Sequence, residues 1–431
     1  MNVSRQVVGS PITRAKVCVC VTVLCLLCLS MAAQSATTLR VQMIGYFDAI
    51  QYLQNTVIPA FEAKFNVKVE FDRATWANRQ EKLIVGTAAG TPPDVFMNGA
   101  EHVVDLVNSG LVAPLDKYIA NWPDLRDFAP ATLQNSALYG HQYGIPLYTD
   151  TRSFWYRADF FEEAGLDPDS PPTTWSGLID AAKRLTKTDG NRVIRQGFDL
   201  VRWTGNQNGL QDYVVYLWQN GGELVNPNTF EAVFNSTAGI EAMQFMVDLQ
   251  DAVRMQGYTV DAGTGSGSPI VRGTAAINLN TGAVASETHK LDPDLVKHMR
   301  AIVPPPGQKN RVSVTFSNWL AIHSDSKQKD LAWEFIKHMT EAQTLAKFDS
   351  YLGTISPRRS TVSKFVRDLP LVSYIYQTLD YARPFPVYPY TNALGAAFAG
   401  QYKQIINGTL GVKTGLDEAA RLWNLALKEG E

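Results

Sequence analysis

Between Thr37 and Gly110 the hydrophobic period switches repeatedly between that of a strand and that of a helix, and this alternation constrains the fold more than any other feature. TTLRVQMIG alternates Leu39, Val41 and Met43, the pattern of a strand. DAIQYLQNTVIPAFEAKF then sets Ile50, Leu53, Val57, Phe61 and Phe65 at helical spacing, with Asp48 placed to cap the start and Pro59 to kink the middle. VKVEFDRAT alternates again, NRQEKLIVGTAAG is helical and stops at GTPP, DVFM is a short buried strand, and AEHVVDLVNSG is a helix ending at Gly110. Successive strand-helix units predict a mainly parallel, doubly wound α/β lobe. Ligands of such a sheet collect beyond the carboxyl ends of its strands. The loops there, at 45–49, 73–76 and 97–100, carry Tyr46, Asp48, Trp76 and Asn98, aromatic faces beside polar heads.

From YGIPLYTDTRSFWY the pattern restarts. Thr174 is placed to cap the helix WSGLIDAAKRLTK, RQGFDLVRW reads as a strand, and LQDYVVYLWQNGG and TAGIEAMQFMVDLQDAV are helical. GTAAINLNTG is a further strand, MRAIVPPPGQKNRVSVTFSNWLAIH predicts strands around a Pro/Gly turn, and KDLAWEFIKHMTEAQTLAKF and TGLDEAARLWNLALKEG are helices. Two α/β lobes with a cleft between them are expected.

All four cysteines lie in VCVCVTVLCLLCLS, residues 17–30. Cys25 and Cys28 form a CxxC, but it sits in an apolar run and no His occurs before His102, so the partners of a metal or redox centre are missing. Arg5, Arg14 and Lys16 precede the run, no acid occurs before Asp48, and SMAAQSA follows. Basic, apolar and small-residue regions in that order read as a secretory signal peptide over residues 1–36. Val17 to Ala33 is at the short limit for a membrane span, and Leu24 and Leu27 stand where a lipid-anchored cysteine would follow a small residue, so soluble export is expected. Cleavage near Ser35 or Ala36 removes three of 39 bases and no acid, leaving 36 bases against 41 acids and no cysteine. Such a chain has neither a nucleic-acid footprint nor a polybasic membrane patch, and core burial alone must hold it together.

Several stretches, in order, resemble the extracellular solute-binding proteins of bacterial ABC importers, in particular the sugar-binding, maltose-binding-protein-like group. They are VIPAFEAKFNVKVEFDRATWANRQEKLIVGTAAGTPPDVFMNGAEHVVDLVNSGLVAPLDKYI, YGIPLYTDTRSFWYRADFFEEAGLDP, PPTTWSGLIDAAKRL, YLWQNGGELV, GTAAINLNTG, SNWLAIHSDSKQKDLAWEFIKHM, LGTISPRRS and ARPFPVYPY. The resemblance implies an α/β, two-lobed periplasmic-binding-protein-like (type II) clamp with a ligand cleft between lobes. The first lobe would comprise 37–147 plus 297–345 and the second 148–296 plus 346–431, with PLYTDTRS as one hinge crossing. It further implies a periplasmic, monomeric binding protein without cofactor, metal or catalytic residues. Such a protein captures a mono- or short oligosaccharide by hinge closure and delivers it to the transmembrane subunits of an ABC permease.

A sugar presents hydroxyls in fixed directions and patches of C–H on its ring faces, so its site needs planar side chains and paired hydrogen-bonding groups. Trp76 ends a first-lobe strand and is either a stacking face or a packed loop anchor. Asn98 follows the PDVF strand, where the resemblance implies a cleft residue and helix geometry allows a cap. By the same resemblance Trp203 would stack from the second lobe, and Asn280 would lie in a cleft loop whose usual aromatic is replaced by Thr281, Gly282 and Ala283. Trp319 takes a position near the hinge where relatives carry small residues, so it either narrows the pocket or packs the crossing strands. Arg383 is either a guanidinium fork for the ligand or half of a surface ion pair, and Tyr148 and Arg152 flank the first crossing. The chain lacks HExxH, GxSxG and P-loop motifs, and GTGSGSP lacks the lysine a phosphate loop requires. Arg383, Arg152 and a pocket narrowed by Trp319 motivate one rival, an anionic sugar derivative or a glycerol phosphate ester as ligand. An exported carbohydrate-active enzyme is a second rival, and it would need an acid and a base facing each other across the cleft.

Overall fold

The computed structural model describes residues 37–45, 47–200, 208–253, 259–260, 267–303 and 305–430. The predicted alternation is present at the start: β1 (Thr38–Ile44), β2 (Lys68–Ala74) and β3 (Val95–Gly99) are joined by helices and run parallel, with β1 between the other two. Leu39, Val41 and Met43 pack with Phe61, Phe335 and Ile336 into the first core. Pro59 stands in the first turn of a helix that follows a change of helical form. Its ring and missing N–H prevent regular bonding to the turn before it, and the chain widens into a π-turn at Leu53–Val57 before the helix Ile58–Phe65.

A short hairpin of β4 (Ala137–Leu138) and β5 (His141–Gln142) leads into β6 (Ile145–Thr151), and after one residue into β7 (Ser153–Arg157). β8 (Lys187–Asp189), β9 (Arg192–Asp199), β10 (Thr259–Val260), β11 (Ala275–Asn280) and β12 (Met299–Ile302) follow. These five join β7 in the second sheet, with the order β10-β9-β11-β7-β12 and β8 on β9. β13 (Ser313–Ile322) returns to the first sheet, where the order is β14-β13-β3-β1-β2, β14 being Ala382–Pro384 and β6 also pairing with β13. Thr174 caps the helix Trp175–Leu185 by accepting from Gly177 N at 3.1 Å, as its position predicts. That helix buries Trp175 and Leu178 with Tyr213, Tyr216, Phe245 and Trp423 in a second core.

Strand pairing and core membership show where the chain passes between the two sheets. β6 pairs with β13 in the first sheet as far as Thr315↔Thr151. β12, ending at Ile302, pairs with β7 in the second. The helix Ala342–Leu352 carries Leu345, Phe348 and Leu352 into the first core. Apolar periodicity alone cannot show which of two adjacent sheets a strand joins.

The crossings converge at one place. Arg152 N donates to Val314 O at 3.0 Å, Thr315 Oγ1 to Asp150 O at 2.8 Å, and Thr149 and Ile355 exchange backbone bonds at 2.9 and 2.8 Å. From this knot Asp150 Oδ1 reaches into the second lobe and accepts from Gly282 N at 2.9 Å. Among the described residues no helix is long and apolar enough to cross a membrane.

Candidate functional site

The turn after β2 is closed reciprocally: Thr75 N donates to Asn78 Oδ1 at 2.8 Å and Asn78 N to Thr75 Oγ1 at 3.2 Å. This turn leaves Trp76 on the outside, 38% exposed, beyond the carboxyl end of its strand. One face of the indole is backed by the Arg79 guanidinium, 4.9 Å from the ring centre. Arg79 itself is 8% exposed and fully engaged. Its Nε donates to Asn98 Oδ1 at 3.1 Å, its Nη2 to Glu101 Oε1 at 3.1 Å, and its Nη1 to the Trp76 carbonyl. Asn98, 1% exposed at the end of β3, also accepts from Gly99 N at 2.9 Å, so its carbonyl oxygen serves the protein rather than open space.

His102 follows in the same wall, 1% exposed, with Nε2 3.7 Å from Glu101 Oε1 and Nδ1 4.0 Å from Asp105 Oδ2. Burial drives its pKa down to about 4; Glu101 opposes this and Arg79 reinforces it, leaving a neutral imidazole at pH 7. Across from this wall stands the helix Thr391–Ile406, whose first turns present Asn392, Gly395 and Ala396. Between the two walls runs a groove of about 560 Å3, lined by Trp76, Arg79, Gln80 and His102 from the first lobe, with Ile84 and Val85 at its rim. The residue types fit a flat, partly apolar, hydroxyl-bearing ligand: an aromatic face, amide heads, and small residues that let a ring approach the backbone.

Asn280, which does not line this groove, ends β11, its Oδ1 accepting from Thr281 N at 2.8 Å. Arg152 lies beside it in the chain crossing, 7% exposed. Its Nη2 donates to Gln211 Oε1 at 3.0 Å, its Nε is 3.2 Å from Asp212 Oδ1, and its guanidinium lies 5.6 Å from the centre of the Phe316 ring. Burial pushes Asp212 up to about 6, with Arg152 opposing and Asp199 adding to the rise.

The remaining residues singled out in the sequence do not line the groove. Tyr148 is 7% exposed on β6, packs in the first core and lies close enough to Arg79 to favour its charged form. Trp319 is fully buried, which supports packing between strands over the lining of a pocket. It sits in mid-β13 opposite Asn98, packs 6.5 Å from Phe96, and lies so close to Gly144 that a Cβ there would come within 2.2 Å of the indole. Arg383, on the edge strand β14, makes a two-pronged pair with Glu223 at 3.0 and 3.1 Å over the Trp218 ring, with nearly half its side chain exposed: the surface-pair alternative. Asp48 is the second residue of the helix Phe47–Tyr52 rather than its cap, and it forms an ion pair with Lys290 of the second lobe. Tyr46 and Trp203 lie outside the described residues. The sequence pattern does not single out Arg79 or His102; the usable signal is that Arg79 starts its helix three residues after Trp76, one tight turn away, so that its guanidinium can fold back against the indole.

The bacterial extracellular solute-binding protein family matches residues 46–345. A putative binding protein of Brucella abortus is 26% identical over 336 residues, 77% of this chain and 79% of the relative. Among solved structures, an ABC transporter solute-binding protein from Thermotoga lettingae bound with alpha-D-tagatose superposes with a TM-score of 0.80 at 23% identity, covering 91% of this chain and 100% of that one. An ABC substrate-binding protein from Listeria monocytogenes in complex with cycloalternan gives 0.79 at 17% identity, covering 91% and 99%. These likenesses place the two sheets in a shared two-lobed fold. With the match spanning both the first lobe and most of the second, the chain belongs to the bacterial extracellular solute-binding protein family.

Proposed function

We propose that this protein is the exported, periplasmic substrate-binding protein of an ABC importer, a monomer that captures a neutral mono- or short oligosaccharide between its lobes and delivers it to the permease. One observation carries the choice of a neutral ligand. The two buried guanidiniums beside the groove and the crossing already face carboxylates: Arg79 has Glu101 and Arg152 has Asp212, while the more distant Arg383 has Glu223. A phosphate or sugar acid would have to displace one of these partners and strand a buried carboxylate, at a cost of about 3–5 kcal/mol. A sugar hydroxyl asks only for an aromatic face and amide groups, which Trp76, Gln80 and Asn392 offer. The tagatose and cycloalternan bound by the two structural neighbours support the carbohydrate class. Binding without turnover is the role of the family, and the clamp needs no cofactor to perform it.

The test is a thermal-shift screen of the exported protein against neutral sugars, polyols, sugar acids and phosphorylated sugars. A ligand that binds only the native state raises the melting temperature by mass action, about 2.7 kcal/mol of stabilisation at a hundredfold excess over Kd. Shifts with neutral sugars are expected, and shifts confined to anionic compounds would overturn the neutral reading. Trp76→Ala should weaken binding of the hit by about tenfold while leaving the melting temperature without ligand nearly unchanged. Unchanged affinity would remove Trp76 from the site. New reducing ends accumulating from a bound glycan over hours would replace binding with catalysis.

A further inference from the structure

The helix Thr391–Ile406 is anchored in the second core by Leu394, Phe398, Tyr402 and Ile405. Its N-cap residue is Tyr390, in the left-handed region at φ 54°, an unfavourable conformation for a residue with a side chain, and Tyr390 makes no side-chain capping bond. The cap comes instead from the other lobe. Asp105 belongs to the helix Val103–Asn108, whose Val103, Val104 and Leu106 pack with Phe96 and Trp319 of the first lobe. The Asp105 carboxylate accepts from Tyr390 N at 2.5 Å and from Thr391 N at 2.9 Å, while Thr391 Oγ1 donates to Glu101 O at 2.6 Å. Another ion pair between the lobes, Lys290 to Asp48, is more solvent-exposed and contributes little by comparison.

We propose that Asp105 is a positioning residue for closure: it caps a helix of the opposite lobe, so that separating the lobes uncaps the helix and leaves Tyr390 in an unsupported left-handed conformation. The closed arrangement is thereby favoured before any ligand enters. A ligand then binds a protein whose competent state is already populated, and its apparent affinity rises by that fraction. Asp105 does this without touching the ligand. The inference rests on the clamp reading above, but its first readout needs no ligand.

The experiment is small-angle X-ray scattering of the ligand-free exported protein, as wild type and as Asp105→Ala, Asp105→Asn and Thr391→Val. The wild type should have a radius of gyration close to that of this structure, in which Asp105 holds the junction. Asp105→Ala should be measurably larger and should contract when the sugar identified by thermal shift is added. Its affinity for that sugar should fall about tenfold, the effect of losing one good cap on the closed-to-open ratio. Asp105→Asn keeps one acceptor oxygen and should fall between, and Thr391→Val tests the same junction if the alanine variant does not fold. An open wild type in the absence of ligand overturns the proposal. So does a radius and an affinity unchanged in all three variants, even if their melting temperatures drop, because a merely structural cap would change stability alone. If no sugar binds at all, the scattering comparison still decides the latch, so the two failures are distinguishable.

Discussion

His102 is held neutral in a nearly dry crevice, and that has a signed consequence for stability. Unfolded, it takes up a proton near 6.5; folded, only at about 4. A depressed folded pKa contributes stability that is fully present above the unfolded value and is lost as pH falls through the folded one, roughly 3 kcal/mol here. Asp150 and Asp212 act in the opposite sense. Burial raises each from 3.8 to about 6, so their contribution is greatest below 3.8 and is lost as pH rises through about 6. Between pH 7 and pH 5 the wild type therefore shows a partial cancellation. His102→Gln should unmask the aspartates, and its melting temperature should fall less than that of the wild type, or rise, when pH goes from 7 to 5. Parallel curves for the two proteins would assign the acid response to other groups. Little of this was legible in the sequence, where His102 was one of six scattered histidines. Trp319 shows the same limit. Its residue type and neighbours allowed both a pocket lining and a packed strand, and only its burial and its register opposite Asn98 support packing.

Secondary elements were far more legible, wherever periodicity was strong and a cap residue stood at the right place. β1, β2, β3, the helix Trp175–Leu185 with its Thr174 cap, and β11 all follow the predicted pattern. The helix Thr391–Ile406 went unread, because TNALGAAFAG dilutes its apolar face with Gly and Ala and its N-cap signal lies on another element. The same small-residue logic governs one contact between elements. Gly197 in β9 lies so close to the helix Trp175–Leu185 that a Cβ would sit 1.7 Å from Ala182 O, a backbone atom that cannot turn aside. Gly197→Ala should force the helix off the sheet and cost at least the 1–3 kcal/mol typical of overpacking, read as a lowered denaturant midpoint with wild-type spectra in the folded baseline. A midpoint within error of wild type would show that the helix can slide without loss.

For the whole molecule, two lobes were readable from the restart of the strand-helix pattern, whereas the points of crossing were not. Each lobe has its own core, and the knot at Thr149–Arg152, Val314–Thr315 and Ile355 joins them. Heat should therefore unfold the ligand-free protein with a calorimetric enthalpy larger than the van't Hoff value, and a bound sugar that spans both lobes should bring the two closer. Equal enthalpies without ligand would mean that the knot alone makes the lobes one cooperative unit. The position of β13 also governs how the chain comes into being. It lies between β3 and β6 in the first sheet yet ends at Ile322 of 431 residues, so about three-quarters of the polypeptide must be synthesised before β3 and β6 can be joined. A nascent chain thus stays unfinished at its N-terminal end while most of it is made, which keeps it threadable for the export proposed here.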